Sequence, residues 1–303
     1  MSNNVIEIRE LSRRFGSSAR EGSRNEPHPG LDNVSIDIQQ GGVLGLVGEN
    51  GAGKTTLLKH VLGLFKAQQG TVRVFGFDPV AQPVEVLSRI GYLSENHDLV
   101  EWMRIGELLD YRRAFYPGWD NSYADDLLKT FDLTRNQKIK SLSRGQHARV
   151  GLILALAHRP ELLILDEPSS GLDPVVRRDI LGAIIRTVAD EGRTVVFSSH
   201  LLDEVQRVAD NIAMLHQGKL VLVDTLDEVL SSHIRLTVRF PEPVETIGEI
   251  AAIGCKGSGQ EWSLLCNGGL ADVEQSLKKL NAQVVERVPP TLEEIFVARV
   301  HGS

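Results

Sequence analysis

Cysteine is scarce in this chain: there are two in 303 residues, Cys255 and Cys266, and they do not form a metal-ligand spacing. Two thiols in so long a chain suit a reducing compartment, and both are expected in core packing. An excess of positive charge is also missing. Lys and Arg number 33 against 40 Asp and Glu, for a formal charge of -7, which lends no support to a nucleic-acid-coating role and favours plain solubility. Long apolar runs are missing too. Val150 to Ala157 is among the longest, well short of the ~20 residues that a membrane-spanning helix needs, so any membrane role is expected to be peripheral. The start, Met1-Ser2-Asn3-Asn4-Val5-Ile6-Glu7, has neither a basic stretch nor an apolar leader core, so residence in the cytosol is the expectation. The sequence holds no internal repeat and no low-complexity tract. Its length accommodates a substantial core, in one large domain with a smaller one attached.

What is present is organised around Gly48-Glu49-Asn50-Gly51-Ala52-Gly53-Lys54-Thr55-Thr56. Three glycines let a backbone curl closely around an anion, and a helix that follows presents unpaired N–H groups to the same spot. A triphosphate is the expected guest. Lys54 would reach its β- and γ-phosphates, and the Thr55 hydroxyl would ligate a bridging Mg²⁺. The setting fits, because Val43 to Val47 is a short apolar run suited to a buried parallel strand, and Thr56 to Leu62 then takes helical spacing.

Elsewhere, Val5 to Ile8 and Val34 to Ile38 alternate as half-buried strands. The polar segment between them, Gly16 to Gly30, reads as a solvated mobile loop; arginines in and beside it (Arg13, Arg14, Arg20, Arg24) could touch an anionic partner. Further strands are expected at Thr71 to Gly76 and Ile90 to Leu93. Helical stripes run through Ile105, Leu108, Leu109 and then Tyr123, Leu127, Leu128 and Phe131, interrupted at Pro117-Gly118, which defines a helical subdomain at about 96–158. Within it, Ser143 and Gln146 have the form of a capping box ahead of the run Val150 to Ala157. Leu162 to Asp166 and Thr194 to His200 are apolar strands ending in chemistry, the first in Asp166-Glu167, the second in His200. Ile212 to Leu215 and Lys219 to Val223 form a hairpin around Gln217-Gly218. Beyond about Asp227 the texture changes to strands at 234–240, 261–266 and 283–288 with a helix at 271–280, so residues 228–303 form a small α+β domain, read as ferredoxin-like.

Residues that end neighbouring parallel strands converge on one crevice in open α/β sheets. Asp166 there can hold Mg²⁺, while Glu167 can orient and deprotonate an attacking water, a division of labour that suits ATP hydrolysis. A carboxylate pair at a strand end could instead be only a helix cap, and His200 could be an ordinary satisfied histidine. The order of these motifs resembles the ATP-binding subunit of an ABC transporter over residues 4 to 225. That resemblance implies a P-loop, RecA-like α/β core with an antiparallel β subdomain and the helical subdomain, occupying residues 1–227. It makes Gly48 to Thr56 the Walker A loop, Leu162 to Asp166 Walker B, Glu167 the catalytic base, Ser170 to Asp173 the D-loop and His200 the switch histidine. Phe15 falls where the family places an aromatic that stacks on adenine. Ser143, Gly145 and Gln146 belong to the family signature, written here Leu-Ser-Arg-Gly-Gln with Arg144 where the commonest form has glycine.

A second departure is Glu95, which stands where the family has a glutamine that ligates Mg²⁺; its added charge is expected to bind the ion and to repel the γ-phosphate. The resemblance further implies two copies, or a paired ATPase subunit, clamping ATP head to tail, with Ser143 and Gly145 of one copy facing the phosphates held by the other. ATP, with Mg²⁺, would then favour the closed pair and ADP the open one. A separately encoded integral membrane permease is implied, docking near Glu95 and the helical subdomain at the cytoplasmic face of the membrane. Trp102 and Met103 are candidate contacts there, or ordinary core residues. The single ATPase domain, Glu95, Tyr116 to Asp120 and the extension ending Pro289 to Phe296 resemble exporter-type subunits acting on drugs, lipids or polysaccharides. The competing reading is a soluble ABC ATPase acting on ribosomes or DNA; such proteins usually fuse two ATPase domains or insert a long coiled coil, neither of which is present.

Overall fold

The structure is a computed structural model, and the residues it describes are 3–16, 29–189, 192–247 and 250–301. Arg20 and Arg24, and with them most of the polar segment expected to be a mobile loop, lie outside the described residues. The chain divides into two compact units, Met1–Val223 and Asp224–Ser303.

The first unit opens with β1 (Asn4–Arg14) and β2 (Pro29–Gln39), paired antiparallel with Ile6 opposite Ile38 and Ile8 opposite Ile36. Both strands overrun the alternating stretches read from the sequence. Leu11 and Leu31, each almost wholly buried, extend the apolar face beyond a local shift in register, and Pro29 and Gly30 belong to β2, not to a loop. β3 (Gly42–Val47) is buried along its last five residues, as a strand flanked on both sides must be, and leads through the glycine-rich loop into α1 (Lys54–Val61). β4 (Gln69–Val74) returns to β1, completing a three-stranded antiparallel sheet. It stops two residues short of the expected end because Phe75 and Gly76 turn at φ of 52° and 82°.

After α2 (Pro83–Leu87) and β5 (Ile90–Leu93) come three helices: α3 (Ile105–Arg113), α4 (Asn121–Thr130) and α5 (Arg144–Leu156). Ile105, Leu108, Leu109, Leu127 and Leu128 are buried, which is the stripe that the helical spacing demands. Asp120 starts α4 by accepting the Tyr123 N–H at 3.0 Å. The chain then lays down β6 (Leu162–Asp166), α6 (Pro174–Ala189), β7 (Thr194–Ser199), α7 (Leu202–Val208), β8 (Asn211–His216) and β9 (Lys219–Thr225). The resulting six-stranded sheet has the order β5-β6-β7-β3-β8-β9. Its register sets Leu93 beside Leu165, Asp166 beside Ser198 and Val47 beside Ser199, so four parallel strands end along one edge. Gln217 and Gly218 form the two-residue turn between β8 and β9, both at positive φ (46° and 80°), as a type I′ hairpin requires.

In the second unit, α8 (Leu226–Ser232), β10 (His233–Val244), β11 (Gly254–Asn267), α9 (Leu270–Lys279), β12 (Gln283–Val288) and α10 (Leu292–His301) build an antiparallel sheet of order β11-β10-β12. The ferredoxin-like reading does not hold among the described residues: three strands in a ββαβα order are present, where that fold needs four in βαββαβ. Leu236, Val238, Phe240, Leu264, Val273 and Leu277 form its core together with Cys266, whose thiol burial pushes up to about 11. Cys255 is exposed, so only one of the two cysteines is a core residue.

Candidate nucleotide-binding site

The loop between β3 and α1 is shaped by its glycines. Gly48 and Gly53 sit at φ of 158° and 111°, and a Cβ there would come within 2.2 Å of the Leu215 carbonyl and 2.4 Å of the Gly30 carbonyl respectively. The loop is therefore pressed between β8 and β2, and only glycine permits that approach. Glu49, Asn50 and Gly51 are exposed at its tip, Ala52 is buried beneath it, and Thr55 and Thr56 lie half-buried in the first turn of α1. Lys54 is 5% exposed. Its ammonium donates to Gly48 O at 2.5 Å and Glu49 O at 3.2 Å, and lies 2.9 Å from Glu167 Oε1.

The strand ends complete the arrangement. Asp166 closes β6 almost wholly buried, and its Oδ1 accepts from Thr55 Oγ1 at 3.1 Å and from Ser198 Oγ at 2.7 Å. Glu167 follows at φ of 47°, a left-handed conformation that few non-glycine residues adopt. Its N–H donates to Ser198 Oγ at 2.9 Å, and its Oε2 stands 2.7 Å from His200 Nδ1. One buried carboxylate thus bridges the phosphate-loop lysine and the histidine beyond β7. The helix-cap alternative for Asp166-Glu167 fails, because these side chains meet Thr55, Ser198, Lys54 and His200 rather than the start of α6. That helix is capped by Asp173, which accepts the Val175 and Val176 N–H groups at 2.9 and 3.1 Å and is held below the usual carboxylate range by those bonds.

Glu95 is exposed, two residues beyond the β5 position that pairs with β6 at Leu165. The Tyr92 hydroxyl registers its neighbourhood: burial first, then the charges of Asp166 and Glu95, push it up to about 12. Phe15 is 40% exposed and edge-on to Phe65, with the Arg13 guanidinium 5.0 Å from its ring centre. It lies against Gly30, whose carbonyl abuts Gly53, so the ring is beside the phosphate loop. Ser143 caps α5 with the expected reciprocal pair: its Oγ accepts the Gln146 N–H at 3.2 Å, and Gln146 Oε1 accepts the Ser143 N–H at 2.9 Å. Gly145 packs against Val176 and Asp173, where a Cβ would come within 2.6 Å of Val176.

Three residues of this region escaped the sequence reading. Ser198 is one; two serines ending an otherwise apolar strand were the available signal. His97, 3% exposed, donates from Nε2 to Pro168 O at 3.3 Å; burial, ahead of the nearby Arg144 and His147 charges, lowers its pKa. Glu204 in α7 accepts from Ser169 Oγ at 2.5 Å and lies 3.0 Å from Arg177 Nε, with burial raising its pKa. Neither residue stands out from its neighbours in the sequence.

A glycine-rich strand–loop–helix cradle, a carboxylate pair ending the next parallel strand but one, and a capped helix opening on Ser143 define a P-loop nucleotide hydrolase of the ATP-binding-cassette kind. Comparison with known proteins agrees. The family model described as "ABC transporter" matches residues 31–170. The ABC transporter ATP-binding protein YtrB of Bacillus subtilis is 30% identical over 99% of this chain and 99% of its own length. The bacitracin transport ATP-binding protein BcrA of Bacillus licheniformis is 30% identical over 76% of this chain and 71% of its own. Among solved structures, an ATP-binding subunit of an ABC transporter superposes with a TM-score of 0.65 at 27% identity, over 75% of this chain and 92% of that one. The chain belongs to the ABC transporter ATP-binding subunits, and its activity is ATP hydrolysis in the service of transport.

Proposed function

We propose that this chain powers a separate membrane permease of exporter type, working as one of a pair of ATPase subunits at the cytoplasmic face of the membrane. The observation that carries the hydrolytic part is the placement of Glu167 between Lys54 and His200. In this reading Gly48 to Thr56 hold the phosphates, Phe15 stacks on adenine, Glu167 takes the proton of the attacking water, and His200 orients Glu167 and contacts the γ-phosphate.

The residues present fit Mg²⁺. Thr55 and Asp166 already stand in contact and offer the hydroxyl and carboxylate oxygens this hard cation prefers, and Glu95, two residues beyond β5, would add a third oxygen ligand. Among the described residues no group of three or more His, Cys, Asp or Glu could hold a metal alone, in keeping with an ion that shares its coordination with phosphate oxygens. When bound, the ion neutralises charge on the transferring phosphoryl group.

Pairing follows from the outward end of α5. Ser143 is exposed there, and a helix N-terminus attracts a γ-phosphate, so a second copy would complete each site. For the permease, a groove lined by Tyr92, Ser94, His97, Leu99, Val100 and Tyr111 runs between β5 and the helical arm. Trp102 beside it is 78% exposed and so is no core residue. No helix among the described residues is long and apolar enough to cross a membrane. The likeness to BcrA supports export of a drug-like substrate. Residues 1–227 form the ATPase domain in this reading, and 228–303 an accessory one.

Glu167→Gln tests the core of it. Steady-state phosphate release is expected to fall at least ~100-fold, as loss of a general base does, while ATP holds the variant as a dimer in size-exclusion chromatography. Unchanged turnover would remove Glu167 as the base.

A further inference from the structure

Arg144, the residue that stands where the commonest signature has glycine, reaches out of α5 to the loop after Glu167. Its Nη2 donates to the Ser170 carbonyl at 3.0 Å. The guanidinium is laid flat against the next residue: a Cβ on Gly171 would come within 2.6 Å of Nη1, 2.8 Å of Cζ and 3.0 Å of Nη2. Gly171 has φ of 66°, so the backbone there both turns left-handed and leaves the space that the guanidinium occupies. Immediately beside this contact Gly145 packs on Asp173 and Val176. The first turn of α5 is thereby fastened to the Ser170–Val176 segment at two adjacent points.

That segment is held from elsewhere as well. Pro168 O accepts from His97, Ser169 Oγ donates to Glu204, and Asp173 caps α6. Arg144 and Gly145 tie it to the first turn of the helix whose N-terminus carries Ser143, and the charge of Arg149 acts on Asp173 from further along the same helix. Glycine at 144 would offer no donor, and Ser170 O would lose its tie to the signature.

We propose that Arg144 is a positioning residue. It latches the D-loop to the signature helix of the same subunit, so that both arrive at the partner's ATP as one body when the pair closes. The inference rests on the reading that ATP is hydrolysed between two copies. Arg144 acts after nucleotide has bound, on the geometry of the closed pair, because its donor is committed to a backbone carbonyl of its own chain. Its removal is therefore a kcat effect.

The test measures ATPase kinetics of Arg144→Ala, Arg144→Lys, Gly171→Ala and the Arg144→Ala/Gly171→Ala double variant of the full chain. Arg144→Ala is expected to lower kcat about fivefold, the effect of losing one exposed charge-assisted hydrogen bond, with KM for ATP within about twofold. Arg144→Lys should recover part of the loss, since an ammonium can still donate to Ser170 O. Gly171→Ala carries a backbone cost in either background, since φ there is 66°, and adds a clash with the guanidinium only where the guanidinium is present, so its fractional effect on kcat should be smaller in the Arg144→Ala background. A fall in kcat that is multiplicative across the two positions, or a change confined to KM, overturns the latch. Glu167→Gln run in parallel separates the two failures. If that variant does not dimerise with ATP, the two-copy reading falls and the latch with it; if it dimerises and Arg144→Ala turns over normally, the latch alone falls.

Discussion

Ser198 joins the two halves of the carboxylate pair: its hydroxyl accepts the Glu167 N–H and donates to Asp166 Oδ1. Removing it leaves a buried N–H with no acceptor beside a residue already in a left-handed conformation. Ser198→Ala is expected to destabilise the first unit by about 1–3 kcal/mol, the penalty of an unsatisfied buried donor, as read from urea unfolding followed by Trp fluorescence. Threonine, which keeps the hydroxyl, should recover most of it. At this scale the sequence was informative where a residue type is demanded by chemistry in a fixed local frame. Lys54, Thr55, Asp166 and Glu167 were found because loop, lysine and strand end occur at recognisable spacing. Ser198, His97 and Glu204 were not, because their partners lie 32, 71 and 35 positions away and no local pattern marks the pairing.

Among the elements, α5 carries both core and chemistry. Its interior from Val150 to Leu156 is buried, while its first turn is fixed by the Ser143–Gln146 pair. Ser143→Ala breaks that pair and should cost about 1 kcal/mol in denaturant unfolding, with Ser143→Thr near wild type. A loss of activity in the alanine variant without any loss of stability would mean that the hydroxyl serves ligand alone. The box was readable in advance, as were β3, β6 and β7, whose apolar residues form uninterrupted buried runs. The seating of β7 between β6 and β3 was not, since strand order is settled by crossovers that leave no local trace. The second unit shows the opposite failure. Its three strand signals were sound, but the ferredoxin-like fold read into them needs a fourth strand, which the described residues do not supply.

Among the described residues of the whole molecule, four buried histidines have their pKa lowered, chiefly by burial: His60, His97, His158 and His233. His158 is the extreme, with Nε2 donating to Ile90 O at 3.0 Å and its ring stacked on Tyr116 at 4.0 Å. Its pKa falls to about 4 from 6.5, chiefly through burial. The unfolded chain therefore binds a proton below pH 6.5 that the folded one refuses. Stability from this group is complete above 6.5 and is lost as pH falls from there toward 4, by at most about 3 kcal/mol. Melting temperature is expected to drop steeply over that interval, and His158→Gln to drop less steeply. Parallel slopes for the two proteins would show that His158 does not set the acid limb.

The contact between Lys54 and Glu167 bears on nucleotide affinity as well as on hydrolysis. The ammonium already donates to two backbone carbonyls and is ion-paired with a carboxylate in the folded chain, so an incoming phosphate competes with that carboxylate for the positive charge. Glu167→Gln replaces that anionic rival with a neutral amide. The variant should hold ADP more tightly as well as ATP, although ADP has no γ-phosphate and no chemistry to block. Part of any tight complex seen with ATP would then report eased competition, and the ADP affinity, measured by calorimetry on both proteins, is the control that subtracts it.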